Sequence, residues 1–217
     1  MPEQVPHESA DRTPIADEPL SVDVTESRVG FHGRVWDVRT ETFAYNDATL
    51  TRDFVDHTGA VAIVALDDQG RMLLIKQYRH PIRHRDWEIP AGLLDVAGED
   101  PLAAAQRELA EEADLFAAEW NVLAEFVNSP GGSNEALRVY LARGISATGA
   151  PFERTAEEAD IEVRWVDLDE VVDAVLARRV QNVSLVIGAL AARAARERGW
   201  ASLGSPEEPW TRNPQAL

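Results

Sequence analysis

Apolar residues along the chain follow two rhythms. Short alternating or unbroken apolar runs at 31–43, 50–55, 60–66 and 72–78 predict strands. The turn signals Asn46-Asp47 and Asp67-Asp68-Gln69-Gly70 separate them. The run 59–66, GAVAIVAL, has no polar side chain on either alternation and therefore predicts a central strand covered on both faces. The rhythm changes after Asp100-Pro101, an N-cap followed by a first-turn proline. Leu102, Ala105, Leu109 and Ala113 then recur at spacings of three and four, which predicts a helix over 101–113. Strands follow at 121–127, 137–142 and 161–166, and helices at 169–178 and 184–198. Strands first, one helix in the middle and helices at the end predict an α+β fold built on a mixed sheet.

The ends carry little periodicity. Residues 1–27, rich in proline and acid, are expected to form a disordered acidic leader. A β segment over 28–58 precedes the main domain, expected over 59–200, and residues 201–217 read as a loose tail. No apolar stretch approaches the roughly 20 residues of a membrane span, and the N-terminus lacks the basic-then-apolar order of a signal peptide. The absence of cysteine excludes disulfides and thiolate chemistry and fits a reducing compartment. A cytoplasmic protein is expected.

Charge sharpens this picture. The 217 residues carry 38 acids against 21 lysines and arginines, a net −17, which excludes nucleic acid polymers and anionic membranes as partners. The acid is local. Residues 1–27, 92–115 and 157–170 each hold seven acids and one base, so the rest of the chain is close to neutral. In the middle stretch Arg107 and Glu111 can pair, whereas Glu108 and Glu112 face each other as like charges at a cost of about 0.2–0.5 kcal/mol. Carboxylates converging from one helix form an all-oxygen set of the kind that hard Mg²⁺ or Mn²⁺ prefers. A solvated acidic face gives the same pattern.

The residues around the helix discriminate. The stretch 92–115, GLLDVAGEDPLAAAQRELAEEADL, resembles a Nudix box through Gly92, Glu99, Arg107-Glu108-Leu109, Glu111-Glu112 and Leu115. It departs twice: the interval from Gly92 to Glu99 is one residue longer than the family pattern, and Asp114 stands where glycine is expected. Aspartate can adopt the left-handed conformation of a helix C-terminus at some cost. The resemblance implies a Nudix-type α/β/α sandwich with a mixed sheet, and N-terminal antiparallel strands used in dimerisation. It further implies metal-dependent hydrolysis of a nucleoside diphosphate linked to another moiety. Carried onto this chain, the metal ligands are Glu108, Glu111, Glu112 and the carbonyl of Ala91, holding two or three Mg²⁺ or Mn²⁺ ions. Gly92, Glu99 and Arg107 shape the motif, with Glu99 bracing the arginine.

Sequence outside the box is similar to the ADP-ribose and ADP-sugar pyrophosphatase branch. The similar segments are Lys76-Gln77-Tyr78-Arg79, Trp87-Glu88-Ile89-Pro90-Ala91-Gly92, Thr51-Arg52-Asp53 and the stretch from Ser129 to Glu135. Pro130, fifteen residues beyond Leu115, is a mark of ADP-ribose specificity in that branch. The implied reaction splits ADP-ribose into AMP and ribose 5-phosphate. The implied substrate-binding residues are Arg52, Arg79, Glu88 and Glu135, with Arg52 and Glu135 able to serve the partner's site in a homodimer. The acidic segment 155–160 resembles a loop that supplies a catalytic glutamate, Glu158 with Glu157 as the alternative, beside Glu111. Arg83 and Arg85 read as surface charges, Trp87 as packing or a base-stacking ring, and Trp36, Trp120, Trp165, Trp200 and Trp210 as packing. The competing readings are a Nudix hydrolase of another nucleoside diphosphate derivative and a Nudix domain that senses a nucleotide without cleaving it.

Overall fold

A computed structural model of the chain describes residues 14–152, 154 and 160–213. The run 60–65 forms the strand that organises it. This strand, β4 (Ala60–Ala65), is buried at every position, and its pleat sends alternate side chains to opposite layers. Ala62 and Val64 pack with Leu168, Val172, Leu185 and Ala189, whereas Val61, Ile63 and Ala65 pack with Ala105 and Leu109. Val61, Ile63 and Val64 are fully buried, each contributing about 1.5–3 kcal/mol relative to exposure.

The chain runs β1 (Val24–Phe31), β2 (Asp37–Tyr45), β3 (Ala48–Asp56), β4, β5 (Arg71–Arg79), β6 (His84–Glu88), β7 (Ala91–Leu93) and α1 (Pro101–Ala113). It continues through β8 (Leu115–Val127), β9 (Ala136–Ala147), β10 (Glu162–Asp167), α2 (Leu168–Leu176) and α3 (Val183–Glu197). One sheet has the order β7-β4-β9-β8. It is mixed, because β4 runs parallel to β9 and antiparallel to β7. A second sheet is β10-β5-β6 and a third is β1-β2-β3, both antiparallel. Helix α1 covers one face of β4, while α2 and α3 cover the other, giving the expected α/β/α sandwich. Asp100 caps α1 by accepting from the Leu102 amide, and Pro101 opens it, as the sequence predicts. Among the described residues no helix is long and apolar enough to cross a membrane.

The structure corrects three expectations. The run 31–43 is two strands, β1 and β2, joined by a turn, and β1 begins at Val24 inside the stretch assigned to a disordered leader. This sheet buries little apolar surface, so it leaves a weak hydrophobic rhythm. Polar cross-strand pairs hold it instead: Thr40 donates to Asp53 at 2.7 Å, Arg39 to Asp56 at 2.8 Å, and Thr42 bonds Thr51 at 3.0 Å. The short strands β6 and β7 lack a sequence signal of their own and form against the edges of β5 and β4. The C-terminal segment is docked rather than loose through residue 213. Gly204 and Val122 exchange backbone hydrogen bonds of 2.9 and 3.1 Å. The Arg138 guanidinium lies 5.1 Å from the centre of the Trp210 ring and donates to the Glu208 carbonyl.

Trp210 is 8 % exposed. Replacing it with alanine should cost about 3 kcal/mol, the lower end of the usual range for buried Trp→Ala, read as a lower urea midpoint. An unchanged midpoint would mean that the tail contributes nothing to the core.

Candidate active site

Helix α1 carries Glu108, Glu111 and Glu112 at offsets of zero, three and four residues, which puts them on one face. Arg107 compensates that negative face. Its Nε and Nη2 donate to the two carboxylate oxygens of Glu99, both at 2.9 Å, while Nη1 donates to Glu108 at 2.6 Å and Glu111 at 3.1 Å. The hydrogen bonds from Arg107 hold the Glu99 carboxyl below its ordinary pKa, outweighing burial. The arginine in turn is held more firmly protonated than usual, first by its hydrogen bond to Glu99. Glu112, 5 % exposed, accepts from the Ala91 amide at 2.9 Å.

The expected ligand set therefore lies together without converging. Among the described residues no three carboxylate or histidine side chains gather around one point. The physical reason is the like charge of the three glutamates, which Arg107 and the Ala91 amide compensate in separate directions. The donors nevertheless fit a hard divalent cation. They are all oxygen, they share one helix face, and Ala91 adjoins them. Gly92 supports this fit, since a Cβ built on it would lie 2.0 Å from Cδ and Oε1 of Glu108. Only glycine leaves room for that carboxylate against the strand.

A cavity of about 680 Å³ opens beside this strand, within the range of small-molecule sites. Its walls include Arg79, Glu88, Ala91, Gly92 and Glu135, five of the residues singled out in the sequence. Glu88 is 2 % exposed and is matched fork to fork by Arg79, whose Nε and Nη2 donate at 2.8 and 2.7 Å. Gln77 adds a longer hydrogen bond to the same carboxylate. Asn128 donates to Glu135 at 2.7 Å. A second cavity, about 670 Å³, lies between the N- and C-terminal segments beside Asp17, Trp210 and Arg212 and holds none of the motif residues.

Arg52 is not in the 680 Å³ cavity. It lines a separate, smaller depression with residues 130–134 and donates to the Thr51 carbonyl. Glu157 and Glu158 lie outside the described residues. Arg85 pairs with Glu162 at 2.7 Å, and Trp87 packs against the core beneath Lys76, whose Nζ stands 5.2 Å from the ring centre.

Two cavity residues escape sequence reasoning. Trp36, read as packing, is 41 % exposed and stacks on the His57 ring at a centroid distance of 5.0 Å. His57 is buried, and the Gly59 amide donates to its Nδ1 at 2.9 Å. The proton of the neutral ring thus sits on Nε2, which faces Glu135 at 3.5 Å. Burial lowers the His57 pKa, and the Glu135 charge opposes that only in part. A lone tryptophan in a turn and a lone histidine before a strand carry no spacing signal.

The family model for the NUDIX domain matches residues 56–184. The chain belongs to the Nudix family. Over 168 residues this Nudix protein is 44 % identical to an ADP-ribose pyrophosphatase of Mycobacterium tuberculosis, covering 77 % of this chain and 80 % of that protein. It is 36 % identical over 153 residues to an ADP-ribose pyrophosphatase of Bacillus subtilis, covering 70 % of this chain and 82 % of that one. A solved structure described as an ADP compounds hydrolase superposes on it with a TM-score of 0.65, at 16 % identity, over 85 % of this chain and 99 % of that chain. That likeness shows the fold.

Two outcomes follow from the geometry. Gly92→Ala pushes aside the end of a flexible glutamate, so the variant should fold normally but need at least about tenfold more Mg²⁺ for half-maximal activity, a loss typical of disturbed ligand support. An unchanged Mg²⁺ titration would refute the close approach. The lowered pKa of Glu99 contributes stability that is complete above its ordinary value of 4.5 and is lost as pH falls through the lowered one. Glu99→Gln should therefore be less stable than the parent at neutral pH and show a flatter decline below about pH 4.5, measured as urea midpoints.

Proposed function

We propose that this Nudix protein hydrolyses the pyrophosphate bond of ADP-ribose, giving AMP and ribose 5-phosphate, with bound Mg²⁺ or Mn²⁺. The observation that carries this reading is the composition of one cavity wall: an arginine fork fixed by a buried carboxylate, the Ala91-Gly92 strand backed by Glu108, and an exposed aromatic ring. These are the groups that a diphosphate, its cations and a nucleobase each require. The 44 % identity to a protein named ADP-ribose pyrophosphatase supports the choice of substrate.

Glu108, Glu111, Glu112 and the Ala91 carbonyl would hold the ions. Two or three ions held by these residues would supply polarisation of the phosphoryl oxygens and a lowered pKa for an attacking water. The two bonds from Arg107 to Glu99 do not involve Glu108 or Glu111, so they would anchor the guanidinium beside the helix when those carboxylates turn to the ions. Arg79, oriented by Glu88, presents its planar guanidinium to a phosphate oxygen. The Trp36 ring, on the β1–β2 turn, offers an aromatic face to the base. Glu158, with Glu157 as the alternative, is the proposed base at the water, beside Glu111. In the proposed homodimer, the β1–β3 sheet carries Arg52 towards the partner's site, and Glu135 serves the same interface. An open cavity walled by neutral His57 and Glu135 suits a small polar ligand.

The test is an assay of ADP-ribose, NADH, GDP-mannose, diadenosine polyphosphates and 8-oxo-dGTP with Mg²⁺. ADP-ribose is expected to be the preferred substrate and to release AMP, and a chelator is expected to abolish turnover. Preferred cleavage of another compound would replace the substrate, and no turnover of any would sink the hydrolase reading. Glu112→Gln should lower kcat by roughly 100-fold or more, beyond the 10–100-fold typical of groups that only support a ligand. Sedimentation tests the dimer.

A further inference from the structure

The aspartate that replaces the box glycine does more than tolerate the turn. Asp114 sits in the left-handed region at φ 57°, ψ 37°, and its amide closes α1 on the carbonyls of Ala110 and Leu109. Glycine would do this without strain. The side chain of Asp114, however, is fully used: Oδ1 accepts from the Phe152 amide and Oδ2 from Arg154 Nη2, both at 2.6 Å. Arg154 Nε also donates to the main-chain carbonyl of Glu111 at 3.0 Å, and the Thr148 amide donates to the Asp114 carbonyl at 3.0 Å. Four hydrogen bonds thus tie Thr148, Phe152 and Arg154, beyond β9, to the last turn of α1. That turn carries Glu111 and Glu112.

We propose that Asp114 is a positioning residue which, through Arg154, fixes the last turn of the carboxylate helix and so the placement of Glu111 and Glu112 during turnover. The tether has a direction that suits the task. A cation at a helix C-terminus is favourable, and the Arg154 guanidinium spans the Glu111 carbonyl and the Asp114 carboxylate, so one side chain joins the helix end to the neighbouring strand exit. Glycine at 114 loses both carboxylate bonds, to Phe152 and to Arg154 Nη2, and keeps the bond from Thr148 and that from Arg154 Nε to the Glu111 carbonyl. The chain therefore trades a strain-free cap for a braced one. This inference rests on the hydrolase reading for its kinetic readout and on local order for a second, independent one.

The experiment compares Asp114→Gly, Asp114→Asn, Arg154→Ala and the Asp114→Gly/Arg154→Ala double variant in the full chain, using ADP-ribose turnover and amide hydrogen exchange. Asp114→Gly should leave the melting temperature nearly unchanged, because the relieved left-handed strain offsets the two lost carboxylate hydrogen bonds, yet lower kcat about tenfold, the scale of a small misplacement of reacting groups. KM should stay within about twofold, as expected when only transition-state contacts are lost. Arg154→Ala should match it, and the double variant should be no worse than either single one. Asp114→Asn keeps the backbone conformation and the acceptor for Phe152, so its kcat should lie between parent and glycine. Amides of residues 112–114 and 152 should exchange about tenfold faster in Asp114→Gly, a local opening. An unchanged kcat in Asp114→Gly overturns the proposal even if exchange quickens, as does a change confined to KM. Should Asp114→Gly fail to fold, Asp114→Asn and Arg154→Ala decide by the same kcat criterion. If the parent cleaves none of the pyrophosphate compounds, the hydrolase reading fails separately, and the exchange rates alone decide whether the tether holds the helix end.

Discussion

Three glutamates within five residues of one helix repel one another, and the guanidinium of Arg107 is the interaction that makes such a surface compatible with a folded helix. It engages Glu99, Glu108 and Glu111 at once, and it does so from the helix itself, so the compensation is built before any ligand arrives. Glu99 comes from the turn ahead of α1, which means that the same contact also pins the 94–100 loop between β7 and α1 to the helix. The one extra residue in that loop is accommodated without loss of this contact. The acidic character of the site and the order of its framework thus have one source.

Much of the architecture was legible because burial leaves a trace in the sequence. The unbroken apolar run of β4 announces cover on two sides, and the structure places helices on both. Helix α1 was readable to the residue, since capping, proline placement and apolar spacing agree. The N-terminal sheet was blurred for the opposite reason: its pairs are Thr–Asp, Thr–Thr and Arg–Asp, which alternate without hydrophobicity. The docked tail was missed because one tryptophan, stacked against a buried arginine, does the work that a periodic stripe would do elsewhere.

The candidate site divides in the same way. Residues on α1 and the adjoining strand were found through spacing within one contiguous motif. Arg79 and Glu88 were also found, and their contact across β5 and β6 appears only once those strands pair. Trp36 and His57 were not, because their chemistry comes from stacking on each other across 21 positions of sequence. Asp114 was visible as a departure from a pattern, but its partners Phe152 and Arg154 are roughly 40 residues away and nothing local points to them.

The parallel pairing of β4 with β9 has a kinetic consequence. Every paired position joins residues 77 apart, from Ala60 with Leu137 to Ala65 with Ala142, and a closure of that length must be paid for before the contacts it enables return anything. Helix α1 and the strand carrying Ala91 and Gly92 lie wholly inside the closed loop. Burial of the central strand on both faces thus waits on the longest-range pairing that this strand makes, and that closure sets the pace of folding for the core.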